Sequence, residues 1–175
     1  MTVYTSTPMV ESPAQPPQPW LYPYREDPQE TRLDGKPVFR PFVRVSLADG
    51  AHHTQVLDGL VATAASGVFA SAELAQALGI DLSDHEGEVE AVVNGSDRTV
   101  TVRYKTLTLR LHPPDGSEDV CRQWQTQVGF IENWHRYVVL GNVGFLDRFR
   151  VTFGGSSKAV LIEEPSPLEI AAALS

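Results

Sequence analysis

Residues 56–82 read Val-Leu-Asp-Gly-Leu-Val-Ala-Thr-Ala-Ala-Ser-Gly-Val-Phe-Ala-Ser-Ala-Glu-Leu-Ala-Gln-Ala-Leu-Gly-Ile-Asp-Leu. An apolar run of Val56, Leu57, Leu60 and Val61 enters a cluster of very small residues at 62–67. Val68 and Phe69 follow, and a short helical pattern closes at Gly79. The pattern predicts strand, tight loop, strand, helix. Small residues in a loop between two buried strands mean that another stretch of backbone comes very close, where a larger side chain would not fit.

Working outward, the apolar residues Phe42, Val43, Val45 and Leu47 lead into Asp49-Gly50, a turn signal, and residues 54–61 return as the next strand. This hairpin carries the 62–67 loop at its far end. Downstream, Ile80-Asp81-Leu82 reads as a short strand, and residues 88–93 and 98–104 flank Asn94-Gly95-Ser96-Asp97, where Asn-Gly is a strong hairpin signal. Leu107, Leu109 and Leu111 alternate on a further strand, ended by Pro113-Pro114-Asp115-Gly116. Residues 121–130 form another strand, with Trp124, Thr126 and Val128 on one side. A strand at 137–140, a short helix at 145–149 and a pair of strands at 150–153 and 159–162 complete the pattern. The expected fold is all-β, a small closed, mostly antiparallel barrel with one or two short helices.

Two segments resemble a known family. Leu-Val-Ala-Thr-Ala-Ala-Ser at 60–66, with Leu-Ala-Gln-Ala-Leu-Gly-Ile at 74–80, is similar to the active-site segment of retropepsin-like aspartic peptidases, the retroviral-protease type. In that family the segment reads hydrophobic-hydrophobic-Asp-Thr/Ser-Gly-Ala-Ser and is followed by a short Leu-Ala-x-x-Leu-Gly helix. Residues 137–153, Tyr-Val-Val-Leu-Gly-Asn-Val-Gly-Phe-Leu-Asp-Arg-Phe-Arg-Val-Thr-Phe, resemble the family's closing segment. The two occur in the family's order, separated by a hairpin-rich middle.

The resemblance implies a retropepsin-like barrel and a peptidase mechanism. Two carboxylates share one proton, because like charges a few ångströms apart do not both ionise near neutral pH, and the pair activates a water as general base. A chain with one such loop supplies one aspartate, so the family's dyad exists only in a two-fold homodimer. Here the aspartate position is Ala62. Thr63 stands where the family's hydroxyl links the two loops, Ala64 replaces the usual glycine, and Ala65-Ser66 match outright. Asp58, on the same strand and face, lies four residues back, about 13 Å at roughly 3.3 Å per residue, which is too far to substitute. The chain as written is therefore expected to be inactive.

The resemblance also makes the 88–104 hairpin a flap over the substrate, with Asn94, Gly95 and Ser96 at its tip. The bland alternative is an ordinary surface hairpin. Leu60, Ala65 and Ser66 join these three as substrate-binding candidates, with Val68 and Phe69 as further pocket walls or core. The implied substrate is an extended protein or peptide segment, the chain's own N-terminal extension being one candidate.

Composition bounds the rest. A chain of 175 residues, 42% hydrophobic, can bury one sizeable core. Its formal charge of −8, without a Lys/Arg cluster, disfavours nucleic acid and anionic membrane surfaces as partners. No 18-residue apolar run and no secretory signal are visible. A single cysteine, Cys121, suits a reducing cytoplasm and reads as a small half-buried hydrophobe. His52 and His53 sit at a turn as solvated side chains, and no His or Cys spacing suggests a metal site. No cofactor is expected.

Nine of the thirteen prolines fall at or before Pro41, so residues 1–38 are expected to form an extended Pro-rich segment. Trp20, Leu21, Tyr22 and Tyr24 are aromatic-rich for a free tail and suggest docking on the domain or a partner subunit. The expected division is 1–38 extension, 39–164 peptidase-like domain and 165–175 tail. Three functions are compatible with these features. The first is an aspartic endopeptidase disabled at position 62. The second is a natural pseudo-peptidase that binds extended peptides uncut, and the third is a non-enzymatic dimerisation scaffold whose tail recruits a partner domain.

Overall fold

The alternating apolar residues of the sequence become the inside of a barrel. The computed structural model describes residues 18–50, 52–92, 99–117, 120–134 and 137–165. In chain order these form strands β1 (Trp20–Pro23), β2 (Arg25–Thr31), β3 (Pro37–Arg40), β4 (Phe42–Asp49), β5 (His52–His53), β6 (Leu57–Val61) and β7 (Val68–Ser71), then helix α1 (Ala72–Ala77). After the helix come β8 (Gly87–Val92), β9 (Thr99–His112), β10 (Arg122–Ile131) and β11 (Val138–Leu140). A wide helical turn over Asn142–Leu146 and strands β12 (Arg150–Gly154) and β13 (Ala159–Glu163) end the described chain.

Six strands close on themselves in the order β4-β6-β11-β7-β10-β9, with β9 pairing back to β4. Four of the contacts in this ring are antiparallel; β6 with β11 and β7 with β10 are parallel. Val43, Val45 and Leu47 of β4 meet Leu107, Leu109 and Leu111 of β9 and Val128 of β10 in one buried cluster. The fold is thus a closed, all-β barrel with two short helices, as the alternation predicted. Among the described residues no helix is long and apolar enough to cross a membrane.

Local details differ from the sequence reading for identifiable reasons. Residues 80–82 are not a strand. Helix α1 is capped by Ser71, whose hydroxyl accepts from Leu74 N at 3.3 Å, and ends with Ile80 N donating to Ala75 O at 2.9 Å. The chain then turns with Ser83 N donating to Asp81 Oδ1 at 2.8 Å. The strand expected at 54–61 starts only at Leu57, because Thr54 is held to β4: its N–H donates to Leu47 O and its hydroxyl accepts from Leu47 N. The two strands expected at 98–104 and 106–111 are one, β9, held along its length by β8, β10 and β4 in turn. The helical turn lies at Asn142–Leu146 rather than at 145–149. Gly144, at φ +93°, breaks it and donates to Asp147 Oδ1 at 3.0 Å.

Aromatic residues of the Pro-rich segment form β1, which pairs antiparallel with β13 from Trp20↔Ile162 to Pro23↔Ala159, with Pro23 at the strand end. Tyr22 is buried and donates to His112 O at 2.5 Å; burial pushes its phenol well above the usual range. Tyr22→Ala is expected to cost about 3 kcal/mol by lost packing, and Tyr22→Phe about 1 kcal/mol by removing the hydrogen bond to the His112 carbonyl. Urea unfolding of the two variants checks both values.

The β2–β3 hairpin is tied to its own strands and to the barrel by ion pairs. Asp27, 2% exposed, accepts from Gln29 N at 2.9 Å and from Arg40 Nε at 2.8 Å, and Arg25 reaches Asp58 at 2.6 Å. Asp27→Ala strands Arg40 without its buried partner, although Glu30 still pairs with it. A loss of about 2 kcal/mol is expected by denaturant unfolding, below the full cost of a broken buried pair because Arg40 is partly exposed.

Candidate active site

The loop between β6 and β7 is short because its hydrogen bonds are satisfied at once by a neighbouring segment. Ala62 N donates to Leu140 O at 3.0 Å, and Ala65 N closes a tight turn on Ala62 O at 3.2 Å. Asn142 N donates to Ala65 O at 2.9 Å and Val143 N to Ser66 O at 3.0 Å. The Asn142 side chain adds a donor to Thr63 O at 3.2 Å. Loop 62–67 and segment 140–143 therefore form one clamped unit.

Gly141 makes the clamp possible. A Cβ at this position would lie 2.4 Å from Gly67 O and 2.5 Å from Ala65 O. Its φ of −102° is ordinary, so the requirement is space and not conformation. The small residues of the loop are the other half of the same close approach.

Ala62 and Ala65 are half-buried and pack on a cluster of Phe42, Tyr137 and Val139, joined by Leu60 and Phe69. Phe42 and Tyr137 meet edge to face with centroids 5.3 Å apart. Burial raises the Tyr137 phenol above its usual range, and the nearby Asp27 charge adds to the effect. Thr63, Ala64 and Ser66 are exposed at the loop tip. Val68, in contrast, turns into the barrel core. Asn94, Gly95 and Ser96 lie outside the described residues, although the hairpin arms on either side, β8 and β9, pair in register from Gly87↔Tyr104 to Val92↔Thr99.

Asp58 is occupied by Arg25. Asp84 pairs with Lys105 at 3.3 Å. Hydrogen bonds from the Ser83 side chain and backbone hold the Asp81 carboxyl below its usual range. Asp81 and Glu73 line a cavity of about 740 Å³ beside α1, with His85, Glu88, Arg103 and Glu132 on its other walls, and no residue of loop 62–67 lines it. Among the described residues no three His, Cys, Asp or Glu side chains come together to hold a metal ion.

A retropepsin-like aspartic protease from Rickettsia conorii matches 82% of this chain and 98% of its own length, with a TM-score of 0.51 and 15% identity. The fold is retropepsin-like. The retroviral protease-like domain of Ddi1 from Leishmania major covers 74% of this chain and 96% of its own, at 11% identity and a TM-score of 0.45. No family model matches the chain, and no curated protein does.

Within this retropepsin-like fold, three residues beside the loop escaped the sequence reading. Asn142 reaches the Thr63 carbonyl, and Phe42 and Tyr137 form the floor under Ala62. Asn142 follows the Leu140-Gly141 pair directly, and that position was a signal available in the sequence. Phe42 and Tyr137 are 95 positions apart in sequence, and only the β6–β11 and β4–β6 pairings bring them together.

Proposed function

We propose that this chain is the subunit of a homodimeric retropepsin-like aspartic endopeptidase, present in a form disabled at Ala62. The observation that supports it is the clamped loop. One loop per chain is fixed against segment 140–143, with Thr63, Ala64 and Ser66 exposed at its tip, as a two-fold partner loop would require. Two such loops would bring two copies of position 62 together, and an aspartate there would complete a proton-sharing pair. With alanine, both carboxylates are removed at once by symmetry.

The substrate class is an extended peptide lying between the β8–β9 hairpin and the loops, bound by backbone hydrogen bonds with side chains in alternating pockets. Leu60 and Phe69 beside the loop favour apolar side chains around the cleaved bond. The chain's own N-terminal extension is one candidate substrate. A free, half-buried Cys121 suits work in the reducing cytoplasm.

Ala64 favours a second reading, a pseudo-peptidase that binds peptides without cutting them. Its exposed methyl stands at the tip where two loops would approach, a second departure from the peptidase pattern. The test is to place Asp at position 62 and follow the purified chain, alone and with a peptide library, by mass spectrometry beside the Ala form. Fragments in the Asp form alone support the endopeptidase. An absence of fragments in both forms overturns it in favour of the peptide binder.

A further inference from the structure

The outer face of β4 and β9 carries cations that the candidate active site does not use. Arg44 and Ser46 lie on β4 opposite His112 and Arg110 of β9, in the register Arg44↔His112 and Ser46↔Arg110. Alternation puts all four side chains on one face of the sheet. With His53 and Gln55 they line a cavity of about 480 Å³.

Among the described residues, the guanidinium groups at this face have no carboxylate within ion-pair distance. Arg25, Arg32, Lys36, Arg40, Arg103, Lys105 and Arg122 each have a carboxylate within 4.0 Å. Arg148 and Lys158 lie over aromatic rings. Among the described residues Arg44 and Arg110 have neither kind of partner, in a chain whose acids outnumber its bases by 22 to 14. The Nε of each is shut from solvent and has no hydrogen-bond acceptor. A buried donor left in that state is costly, and an incoming acceptor relieves the cost.

Of the acids near Arg44, Asp58 is engaged elsewhere and Asp115 makes no ion pair with it within 4.0 Å. Asp58, the other cross-strand neighbour of Arg44, is held by Arg25 at 2.6 Å. Asp115, in the turn beside Arg44, accepts from Ser117 N at 2.9 Å. The face is also built rather than incidental. Ser46 and His112 are both buried, with Ser46 Oγ and His112 Nε2 2.8 Å apart, and Tyr22 bonds the His112 carbonyl. The Arg44 guanidinium rests against the turn at Gly116, 3.7 Å from where a Cβ would stand.

We infer that this pocket binds a phosphate group, free or as the phosphomonoester of a small molecule. Two guanidinium forks lining one cavity offer several donors and two positive charges, which a tetrahedral dianion uses fully and a lone carboxylate does not. The volume falls in the range of small-molecule sites and exceeds a bare phosphate. Because β4–β9 is the pairing that closes the barrel ring, an occupant here fastens that seam.

The test is thermal unfolding of the full chain with inorganic phosphate, against sodium chloride at matched ionic strength. At tenfold excess over Kd the midpoint is expected to rise by about 3–6 °C. The double variant Arg44→Gln/Arg110→Gln is expected to lose the shift. Arg110→Lys, which keeps the charge and the fold but not the fork, is expected to bind phosphate about tenfold more weakly by calorimetry, and this comparison decides the matter if the double variant does not fold. Phenyl phosphate binding tenfold more tightly than inorganic phosphate assigns the site to phosphomonoesters, and equal affinity assigns it to the free ion. A wild-type shift no larger than that in chloride, or full phosphate affinity in Arg110→Lys, overturns the proposal.

Discussion

Placing Asp at position 62 is expected, on the proposed endopeptidase reading, to give a chain that hydrolyses peptides in weak acid, with most activity between about pH 4 and 7. The gain is the largest expected here, because enzymes exceed uncatalysed hydrolysis by roughly 10⁶-fold or more, and on that reading the Ala form would lack the carboxylate that activates water. The shape of the pH profile follows from the pair. Activity falls at low pH, where both carboxyls are protonated, and falls again at high pH, where both are ionised. Ala62 packs beside Phe42, Tyr137 and Val139, and this apolar floor together with the like charge raises the upper step.

The same substitution has a stability signature. A carboxyl whose folded pKa is raised binds protons that the unfolded chain has already released. Its folded state is therefore least penalised below the unfolded value of about 4 and loses stability as pH rises above it. The Ala form lacks this contribution. Thermal midpoints of the two forms should accordingly diverge with rising pH, the Asp form falling, while cleavage measured by mass spectrometry passes through a maximum. Equal cleavage by both forms would mean that position 62 is not the reacting site.

Gly141→Ala is expected to cost more than about 4 kcal/mol. The added methyl would sit 2.4 Å from Gly67 O and 2.5 Å from Ala65 O, and both are backbone atoms that cannot rotate aside. Relieving the clash means parting the two segments, which breaks Asn142 N to Ala65 O and Val143 N to Ser66 O together. Gly155→Ala is the control, since a Cβ there meets nothing within 4 Å, and its expected change is within about 0.5 kcal/mol. Urea unfolding distinguishes them. A Gly141→Ala chain within 1 kcal/mol of the parent would show that the loop is not clamped as described.

Much of this architecture was readable from short-range pattern. Leu107, Leu109 and Leu111 alternate in sequence and face one core in space, and the cluster at 62–67 announced a close backbone before its partner was known. The partner was harder to see. Gly141 lies more than seventy residues on, and nothing in the local pattern says that β6 pairs parallel with β11, which is what sets Leu140 beside Val61. Register across a ring is a property of the closed sheet. For the same reason Arg44 and Arg110 read as two separate surface charges, since only the β4–β9 pairing makes them neighbours. Trp20 to Pro23 shows two signals in competition: proline-rich composition alone argues for a loose tail, but the aromatic side chains between the prolines pointed to docking on the domain, and they form a strand on β13, a partner the local pattern did not name. Asn94, Gly95 and Ser96 fall outside the described residues; the Asn-Gly signal gives a hairpin there, and its reading as a flap rests on the family resemblance.

Arg122 has a role that reaches beyond the fold it stabilises. Its guanidinium donates to Gln18 O at 2.7 Å, pairs with Glu164 at 3.0 Å and lies 4.0 Å over the Trp20 ring. One side chain thus grips the chain where it enters the domain and where it leaves. Because β1 and β13 run antiparallel, residues before Trp20 and after Glu163 exit the same end of the same sheet. A short peptide bridge from residue 165 back to residue 18 would span little distance, so the order of the strands could be rewired by opening the chain instead at the exposed pair Pro114-Asp115. Partners joined directly to residue 18 and to residue 165 would also emerge side by side, and a bulky one at either point would crowd the other.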